Sequence, residues 1–249
     1  MNLLLYSKED STPDGKIIVE GRRAVHITKI LKLSLGDCIK VGEENGLKGT
    51  GRLLEVSPNR VVIESPELTV SPPEPWFDMI LAMPRPRVFG RVLQHLTSLG
   101  LRRLTLVNCH KVEKSFFNSP LLSPESINEN LLLGLEQAGL TKKPEVVVNG
   151  PGYGLGHSFS AIPEQQQCRI CADPSGADLS SELLSLKERL GDEQLPLFAI
   201  GPEGGWVKSE LESFSSSGFR VVSLGQRVLR VETAVIYIVA LLSGFREQV

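Results

Sequence analysis

The pattern of apolar and polar positions changes about a third of the way along the chain. Before residue 70, short β-rich runs such as Cys38 to Val41, Gly51 to Val56 and Arg60 to Glu64 are separated by turns of Gly, Asn and Pro. One helix-like segment lies near Arg22 to Leu33. This pattern predicts a small β-barrel over residues 1–70.

A proline-rich segment, Ser71-Pro-Pro-Glu-Pro75, follows, and three prolines in five residues are typical of a stiff, extended linker. We therefore place a linker at 71–75 and a second domain at 76–249. There, apolar runs alternate with amphipathic helices, which predicts a mostly parallel α/β sheet covered on both faces. Such sheets bind ligands in loops at the carboxyl ends of strands. The runs are Met79 to Ala82, Val88 to Leu99, Leu104 to Asn108, Pro124 to Ala138, Val146 to Val148, Arg169 to Ala172, Leu179 to Leu190, Leu197 to Ile200, Lys208 to Ser216, Val221 to Leu224 and Glu232 to Phe245.

Composition narrows the class of protein. With 249 residues, 41% hydrophobic and 22% charged, the chain is typical of globular domains. The apolar stretch Ala234 to Phe245 is too short to span a bilayer, and the first residues lack the basic start of a signal peptide. Four scattered cysteines suggest a reducing compartment. We therefore expect a cytoplasmic protein without a membrane segment.

Charge is unevenly distributed, although the net charge is only −2. Residues 76–150 hold 9 basic and 6 acidic side chains. Arg85, Arg87 and Arg91 form one basic group, and a second comprises Arg102, Arg103, Lys111 and Lys114. They could contact phosphates of a nucleic acid, or they could be an ordinary solvated surface.

Two glycine-containing loops follow predicted strands and precede predicted helices. The first is Ile200-Gly-Pro-Glu-Gly-Gly-Trp206, and the second is Leu224-Gly-Gln-Arg-Val-Leu-Arg-Val-Glu-Thr-Ala234. Glycines let a backbone turn tightly and approach a ligand closely. Because both loops follow strand ends, they could line one pocket.

This pair of loops closely resembles the two characteristic loops of the ribosomal RNA small subunit methyltransferase E family. Weaker similarity extends along the rest of the chain. Leu81-Ala-Met-Pro84 and Leu96-Thr-Ser-Leu-Gly100 resemble the family's first strand and helix, and Leu135-Glu-Gln-Ala-Gly139 resembles its glutamine-bearing helix. The segment from Ala24 to Asp37 resembles its small RNA-binding barrel.

The resemblance implies a knotted, SPOUT-type methyltransferase domain after a PUA-like β-barrel. It also implies a homodimer that binds S-adenosylmethionine and methylates N3 of a uridine in 16S ribosomal RNA, either as bare RNA or within the assembled small subunit. The cofactor-binding residues would be Ile200, Gly201, Pro202, Glu203, Gly204, Gly205, Leu224, Gly225, Val228, Leu229, Arg230 and Thr233. The family's first cofactor loop matches least well, and we assign it to Ala172 and Asp173 because they end a predicted strand. RNA contacts are expected from Arg85, Arg87 and Arg91, and from Arg22 and Arg23 in the barrel.

The chemistry suggests roles for three residues. N3 of neutral uracil must lose a proton before its lone pair can attack, so a base or an anion-stabilising group is required. Arg230 could orient the uracil and stabilise charge on its carbonyl oxygens, and Glu232 or Glu203 could accept the proton. Glu232 has a competing explanation, because acidic residues are favoured in a first helical turn. This chemistry requires no metal, and we predict none.

The chain departs from the family pattern at residues that concern the substrate. Arg85 stands where the family usually has lysine, Ser98 replaces a glutamate, Val231 replaces a threonine, and the arginine expected around Leu140-Thr141 is missing. Two alternatives therefore remain: a related enzyme with a different RNA target, and a non-catalytic RNA-binding or ribosome-assembly protein.

Two weaker motifs are given structural interpretations. Gly152-Tyr-Gly-Leu-Gly156 imitates a dinucleotide-binding loop, as an oxidoreductase would require, but we expect a flexible loop with no helix after it. Cys168 and Cys171 lack a second pair of metal ligands at zinc-finger spacing, and we expect two buried thiols.

Overall fold

A computed structural model describes residues 2–160, 162, 166, 168–179, 181–182 and 195–246. The described chain divides into two compact units. One contains Met1–Glu74 together with Leu131–Lys143, and the other contains Pro75–Asn130 and Pro144–Val249. The segment Leu131–Lys143 was not expected in the first unit, since the sequence pattern predicted only a continuous amino-terminal barrel.

The first unit is a barrel-like sheet around one apolar core. Its elements are β1 (Leu4–Tyr6), β2 (Ile17–Glu20), α1 (Gly21–Val25), β3 (Cys38–Glu43), β4 (Lys48–Ser57), β5 (Arg60–Ile63) and β6 (Glu67–Val70). The sheet order is β1-β3-β4-β5-β2, and β4 pairs with β3 and β6 through its first half and with β5 through its second half. Five of these strands and the short helix α1 contribute buried side chains to a single cluster.

The helix expected near Arg22 to Leu33 is shorter than predicted. It continues from α1 as one π-helical segment, His26–Ile30, and Lys32 then adopts a positive φ of 54°. A left-handed residue cannot continue a right-handed helix.

A second apolar cluster ties the added segment into the first unit. Leu3 and Leu5 lie on the opposite side of β1 from the barrel core and pack with the buried Leu135. Glu136, whose side chain is 2% exposed, accepts hydrogen bonds from the Arg22 guanidinium at 2.9 and 3.2 Å. The carboxyl-terminal part of the helix therefore completes this unit.

The second unit is a parallel six-stranded sheet of order β12-β10-β11-β7-β8-β9, as the strand and helix alternation predicted. Every residue of β7 and β11 is buried, which shows that the central strands are covered on both faces. Its strands are β7 (Phe77–Ala82), β8 (Leu101–Val107), β9 (Glu145–Asn149), β10 (Arg169–Asp178), β11 (Leu197–Ile200) and β12 (Arg220–Ser223).

The helices of this unit are α2 (Pro86–Ser98), α4 (Leu155–Ser160), α5 (Lys208–Ser216) and α6 (Val231–Arg246), and α3 (Pro124–Ala138) is divided between the two units. Helix α2 packs with α6, and α4 packs with α5. The helix expected over Leu179 to Leu190 lies mostly outside the described residues. A search of the described part of the chain finds no helix with the length and apolar character needed to cross a membrane.

One expectation about the loops is wrong. Gly152-Tyr-Gly-Leu-Gly156 was expected to have no helix after it, but α4 begins at Leu155 within the motif. The ring of Tyr153 lies 4.9 Å from the ring of His157 one turn later. Serine and glycine lower the helix propensity of this segment, so its sequence alone does not indicate a helix.

We predict that Arg22→Met lowers the free energy of unfolding by about 2 kcal/mol, because it leaves the Glu136 carboxylate buried without its cation. The loss should fall short of the ~3–5 kcal/mol of a fully buried pair, since the Arg22 side chain is 43% exposed. Chemical denaturation measures it. Arg52→Met, at an exposed arginine of the same unit, is the matched control, and equal stabilities of the two variants would contradict the prediction.

Candidate ligand-binding site

Three neighbouring strands of the parallel sheet come level with one another at its carboxyl-terminal end. Ala172 of β10 pairs with Ile200 of β11 on one side and with Val222 of β12 on the other. Because the strands are parallel, the bulge that follows Ala172 within β10 and the loops that follow Ile200 and Ser223 lie at the same end of the sheet. The pairing thus brings together three segments that are about 25 residues apart in the chain.

These loops surround a cavity of about 370 Å³. That volume lies within the range of small-molecule sites, roughly 300–1,000 Å³. Its lining combines backbone of glycine residues with apolar side chains and a few polar groups. The lining residues are Ala172, Asp173, Pro174, Ser175, Ile200, Gly201, Pro202, Glu203, Gly204, Gly205, Trp206, Ser223, Leu224, Gly225, Arg227, Val228, Leu229, Val231 and Ala234.

Two glycines of the Ile200–Trp206 loop have separate structural requirements. A Cβ on Gly201 would lie 3.2 Å from the Trp206 indole, which is only 5% exposed. Gly205 has a φ of 68°, and its N–H donates to the Pro202 carbonyl at 2.8 Å. The first glycine allows the indole to pack on the backbone, and the second closes a tight turn.

The loop within β10 is fixed by a third glycine. The pairing of β10 with β12 skips from Ala172 to Ala177, so the residues between them bulge away from the ladder. Asp173 Oδ1 accepts hydrogen bonds from the backbone N–H and the hydroxyl of Ser175, at 2.9 and 2.6 Å. A Cβ on Gly176 would lie 2.5 Å from the backbone nitrogen of Val222, so only glycine fits there.

Most residues expected to bind a cofactor line this cavity. The exceptions are Arg230 and Thr233, whose side chains are exposed and which are not among the lining residues. The Arg230 carbonyl instead accepts the first helical hydrogen bonds of α6, from the N–H groups of Thr233 and Ala234.

Of the three candidate catalytic residues, Glu203 alone lines the cavity. Its Oε1 atom lies 3.3 Å from the backbone nitrogen of Arg85 and 3.8 Å from the Arg85 Nε atom. Glu232 lies in the first turn of α6, where the helix dipole favours an acidic side chain without any catalytic role.

The two basic groups differ in their partners more than in their exposure, since Arg102, Lys111 and Lys114 are exposed as well. Arg85, Arg87 and Arg91 are exposed at the start of α2 and within it. In the second group, Arg102 forms a bidentate pair with the buried Asp78, which raises the pKa of Arg102, and Arg103 lies 3.5 Å from Glu145. The ammonium of Lys111 donates to the Gly204 carbonyl at 2.7 Å.

Two barrel arginines expected to contact RNA are held within their own unit. Arg22 pairs with Glu136, and the Arg23 guanidinium donates to both Asp10 oxygens, at 2.8 and 2.6 Å, and to the Leu5 carbonyl at 3.0 Å. These contacts stabilise the first unit. That either arginine contacts RNA stays a prediction.

The cysteines behave as expected. Cys168 and Cys171 are buried, as is Cys109. Burial raises the pKa of the Cys171 thiol, and burial with the nearby Glu210 raises that of Cys109 to about 12. Both stay protonated near neutral pH and are poor nucleophiles. Among the described residues, no group of three His, Cys, Asp or Glu side chains could hold a metal ion.

Comparison with known proteins agrees with the loop motifs. A family model described as an RNA methyltransferase domain matches residues 72–243. A ribosomal RNA small subunit methyltransferase E from Treponema pallidum is 32% identical, over 94% of this chain and 87% of the relative. The chain belongs to the ribosomal RNA small subunit methyltransferase E family.

Two further members of that family extend the comparison. Ribosomal RNA small subunit methyltransferase E 1 from Borreliella burgdorferi is 26% identical over 95% of this chain and 94% of its own. The crystal structure of the Neisseria gonorrhoeae enzyme of this family, bound to S-adenosyl methionine, has a TM-score of 0.72 at 18% identity. It covers 98% of this chain and 97% of its own, so the fold is shared along the whole length.

Several lining residues of this family member were missed from the sequence. Pro174 and Ser175 directly follow Asp173, and the bulge of β10 brings them to the cavity. Trp206 ends the quoted glycine-rich motif, and its large apolar side chain beside three glycines could have indicated a wall. Ser223 precedes the second loop, and Arg227, Val231 and Ala234 lie within it, but nothing in their type distinguishes them.

We predict that Gly176→Ala destabilises the protein by about 2–3 kcal/mol, because the neighbouring backbone of β12 cannot yield as a side chain would. The same clash should displace the Asp173–Ser175 wall of the cavity. Thermal unfolding measures the first effect. Gly156→Ala is the matched control, because a Cβ there meets nothing within 4 Å; similar melting temperatures for both variants would contradict this explanation.

Proposed function

We propose that this protein is an S-adenosylmethionine-dependent RNA methyltransferase that methylates N3 of a uridine in the 16S ribosomal RNA of the small subunit. The observation that carries the proposal is the cavity formed where the two family loops meet the loop of β10. Family membership supports methyl transfer to RNA, and the sequence resemblance supports the uridine target.

The cavity suits the proposed cofactor. Ile200, Leu229 and Ala234 offer apolar walls for an adenine ring, and glycine backbone allows close approach to polar atoms. Asp173 and Glu203 provide carboxylates on the same lining, which favours a ligand that carries positive charge. When bound, S-adenosylmethionine would supply a methyl group on a positively charged sulfur.

The protein's own residues would prepare the uracil. The proton on N3 must leave as the nitrogen attacks, and Glu203 is the acceptor that lines the cavity. Arg85 lies beside it, exposed, and could hold a phosphate near the site. Arg230, exposed next to the lining residue Leu229, would orient the uracil carbonyl oxygens. Glu232 would support the start of α6.

We also propose a homodimer formed through α6. Ile236 and Tyr237 are 37% and 43% exposed on this helix, and the neighbouring turns add Thr233 and Ala240 to the same exposed, largely apolar face. Residues three and four apart share one side of a helix, so these side chains form a continuous patch. The cytoplasm, where ribosomal RNA is processed, is the expected location, and the knot in the chain stays a prediction.

We expect the purified protein to methylate small-subunit RNA, or assembled subunits, from cells that lack it, and mapping should show N3-methyluridine.

Ala234→Phe should weaken S-adenosylmethionine binding about tenfold or more, since the larger side chain fills space between well-packed walls. Calorimetry measures the affinity, and the methylation assay measures the activity.

The control is Ala138→Phe, the same change at an exposed position of the other unit. Cofactor binding without methylation of any small-subunit RNA would favour a non-catalytic RNA-binding protein. Methylation at another base would favour a related enzyme with a different target. Unchanged affinity in Ala234→Phe would reject this cavity as the cofactor site.

We predict that reversing Arg85, Arg87 and Arg91 to Glu weakens RNA binding and reduces its salt dependence. Each lost phosphate contact should lower the slope of log K against log salt by about 0.7 for a single strand. Titrations at several salt concentrations measure both quantities. Cofactor affinity should change little when only Arg87 and Arg91 are reversed, whereas Arg85 lies beside Glu203 of the cavity lining. An unchanged slope would show that these arginines only cover a helix surface.

A further inference from the structure

A turn outside the cavity makes contacts with the glycine-rich wall of the cavity. Cys109–Val112 follows strand β8 and is closed by a hydrogen bond from the Val112 N–H to the Cys109 carbonyl at 3.1 Å. Strand β8 is separated from β11 by β7, so this turn passes the end of β7 to reach the Ile200–Trp206 loop. None of its residues is among those that line the cavity.

The turn holds the glycine loop at two points. The Lys111 ammonium donates to the Gly204 carbonyl at 2.7 Å and lies 3.5 Å from the Trp206 carbonyl. The Glu210 carboxylate accepts from the His110 N–H at 2.7 Å and from the Val207 N–H at 2.9 Å. One cation and one carboxylate therefore tie the turn to both the middle and the end of the loop.

The stem of Lys111 also touches the loop. A Cβ on Gly204 would lie 3.0 Å from the Lys111 Cδ atom, so the methylene chain passes directly over this glycine. The glycine accordingly accommodates the lysine stem as well as any ligand on the cavity side.

These contacts determine the orientation of successive peptide groups. The Gly204 carbonyl is bonded to Lys111 and the Gly205 N–H to the Pro202 carbonyl, while the Val207 N–H is bonded to Glu210. The peptide group that joins Gly204 and Gly205 is thereby bonded at both its oxygen and its nitrogen, and the one that joins Trp206 and Val207 is bonded at its nitrogen. Two adjacent glycines would otherwise sample many conformations, and a ligand would have to order them on binding.

We propose that Lys111, supported by Glu210, is a positioning residue that preorganises the Gly201–Trp206 wall for its ligand. This rests on the proposed function for the identity of the ligand. The sequence interpretation of Lys111 as a phosphate contact would instead leave the wall unchanged when the lysine is replaced.

The test uses Trp206 as a reporter that does not depend on any ligand. The chain has two tryptophans, so Trp76→Phe leaves Trp206 as the sole one in an otherwise full-length protein. In this background, Lys111→Met removes the ammonium and keeps the stem. Lys111→Arg restores a cationic donor, and Lys208→Met is the matched control, because that lysine side chain is 92% exposed on the neighbouring helix start.

We expect Lys111→Met to shift Trp206 emission to longer wavelength and to increase its quenching by acrylamide. Affinity for S-adenosylhomocysteine should fall about fivefold, the loss of an exposed hydrogen bond to a charged group. In methylation assays KM for S-adenosylmethionine should rise while kcat changes little, because the lysine does not touch the reacting atoms. Lys111→Arg should recover most of the affinity, and Lys208→Met should resemble the parent.

Unchanged Trp206 emission and affinity in Lys111→Met would overturn the proposal, as would weaker RNA binding with cofactor affinity intact. The proposal would also be overturned if Lys111→Met lowered the melting temperature of the protein but left cofactor affinity unchanged when the affinity is measured at a temperature at which the variant is folded. If the parent protein binds no S-adenosylmethionine but Lys111→Met still alters Trp206, the proposed function fails and the positioning of the wall is supported.

Discussion

The pairing of Ala172 with Ile200 and Val222 is the constraint on which the site depends. Parallel strands in this register end level, so three loops that are far apart in the chain enclose one cavity. A shift of one residue would move a loop by about 3.3 Å and would also exchange the faces that each strand presents. The full burial of β11 makes such a shift costly, because both of its faces are packed against apolar side chains.

The parallel sheet was predictable because its strands are short apolar runs bounded by turns, and burial on both faces requires that composition. The strand Leu197–Ile200 has the predicted bounds for this reason, and the helix Lys208–Ser216 that follows the glycine-rich loop also has its predicted bounds. The first unit was less predictable. The helix Pro124–Ala138 is amphipathic, but an apolar stripe does not indicate which core it will join, and its second half belongs with Leu3 and Leu5.

The site shows a similar division between what a motif reveals and what only packing determines. Loop positions followed from glycines after strands, and most predicted cofactor residues do line the cavity. Arg230 and Thr233 do not, because the start of α6 turns their side chains outward. Ser175 lines it because β10 bulges, which the residue type does not indicate. Trp206 lines it because its indole packs on Gly201, and the sequence could indicate this only as a large apolar residue beside glycines.

Charge is the feature that sequence described least well. The excess of basic residues in the middle of the chain was compatible with phosphate contacts or with an ordinary solvated surface. In the structure, Arg102, Arg103 and Lys111 are engaged with Asp78, Glu145 and backbone carbonyls. A cation that already has a protein partner must give up that partner, or share it, before it can bind a phosphate. Phosphate binding disturbs fewer existing contacts at the exposed arginines at the start of α2 and within it. Of these, Arg85 lies beside Glu203 on the cavity lining. The basic surface available to RNA is therefore smaller than the residue count implies, and it adjoins the cavity where the proposed methyl transfer would take place.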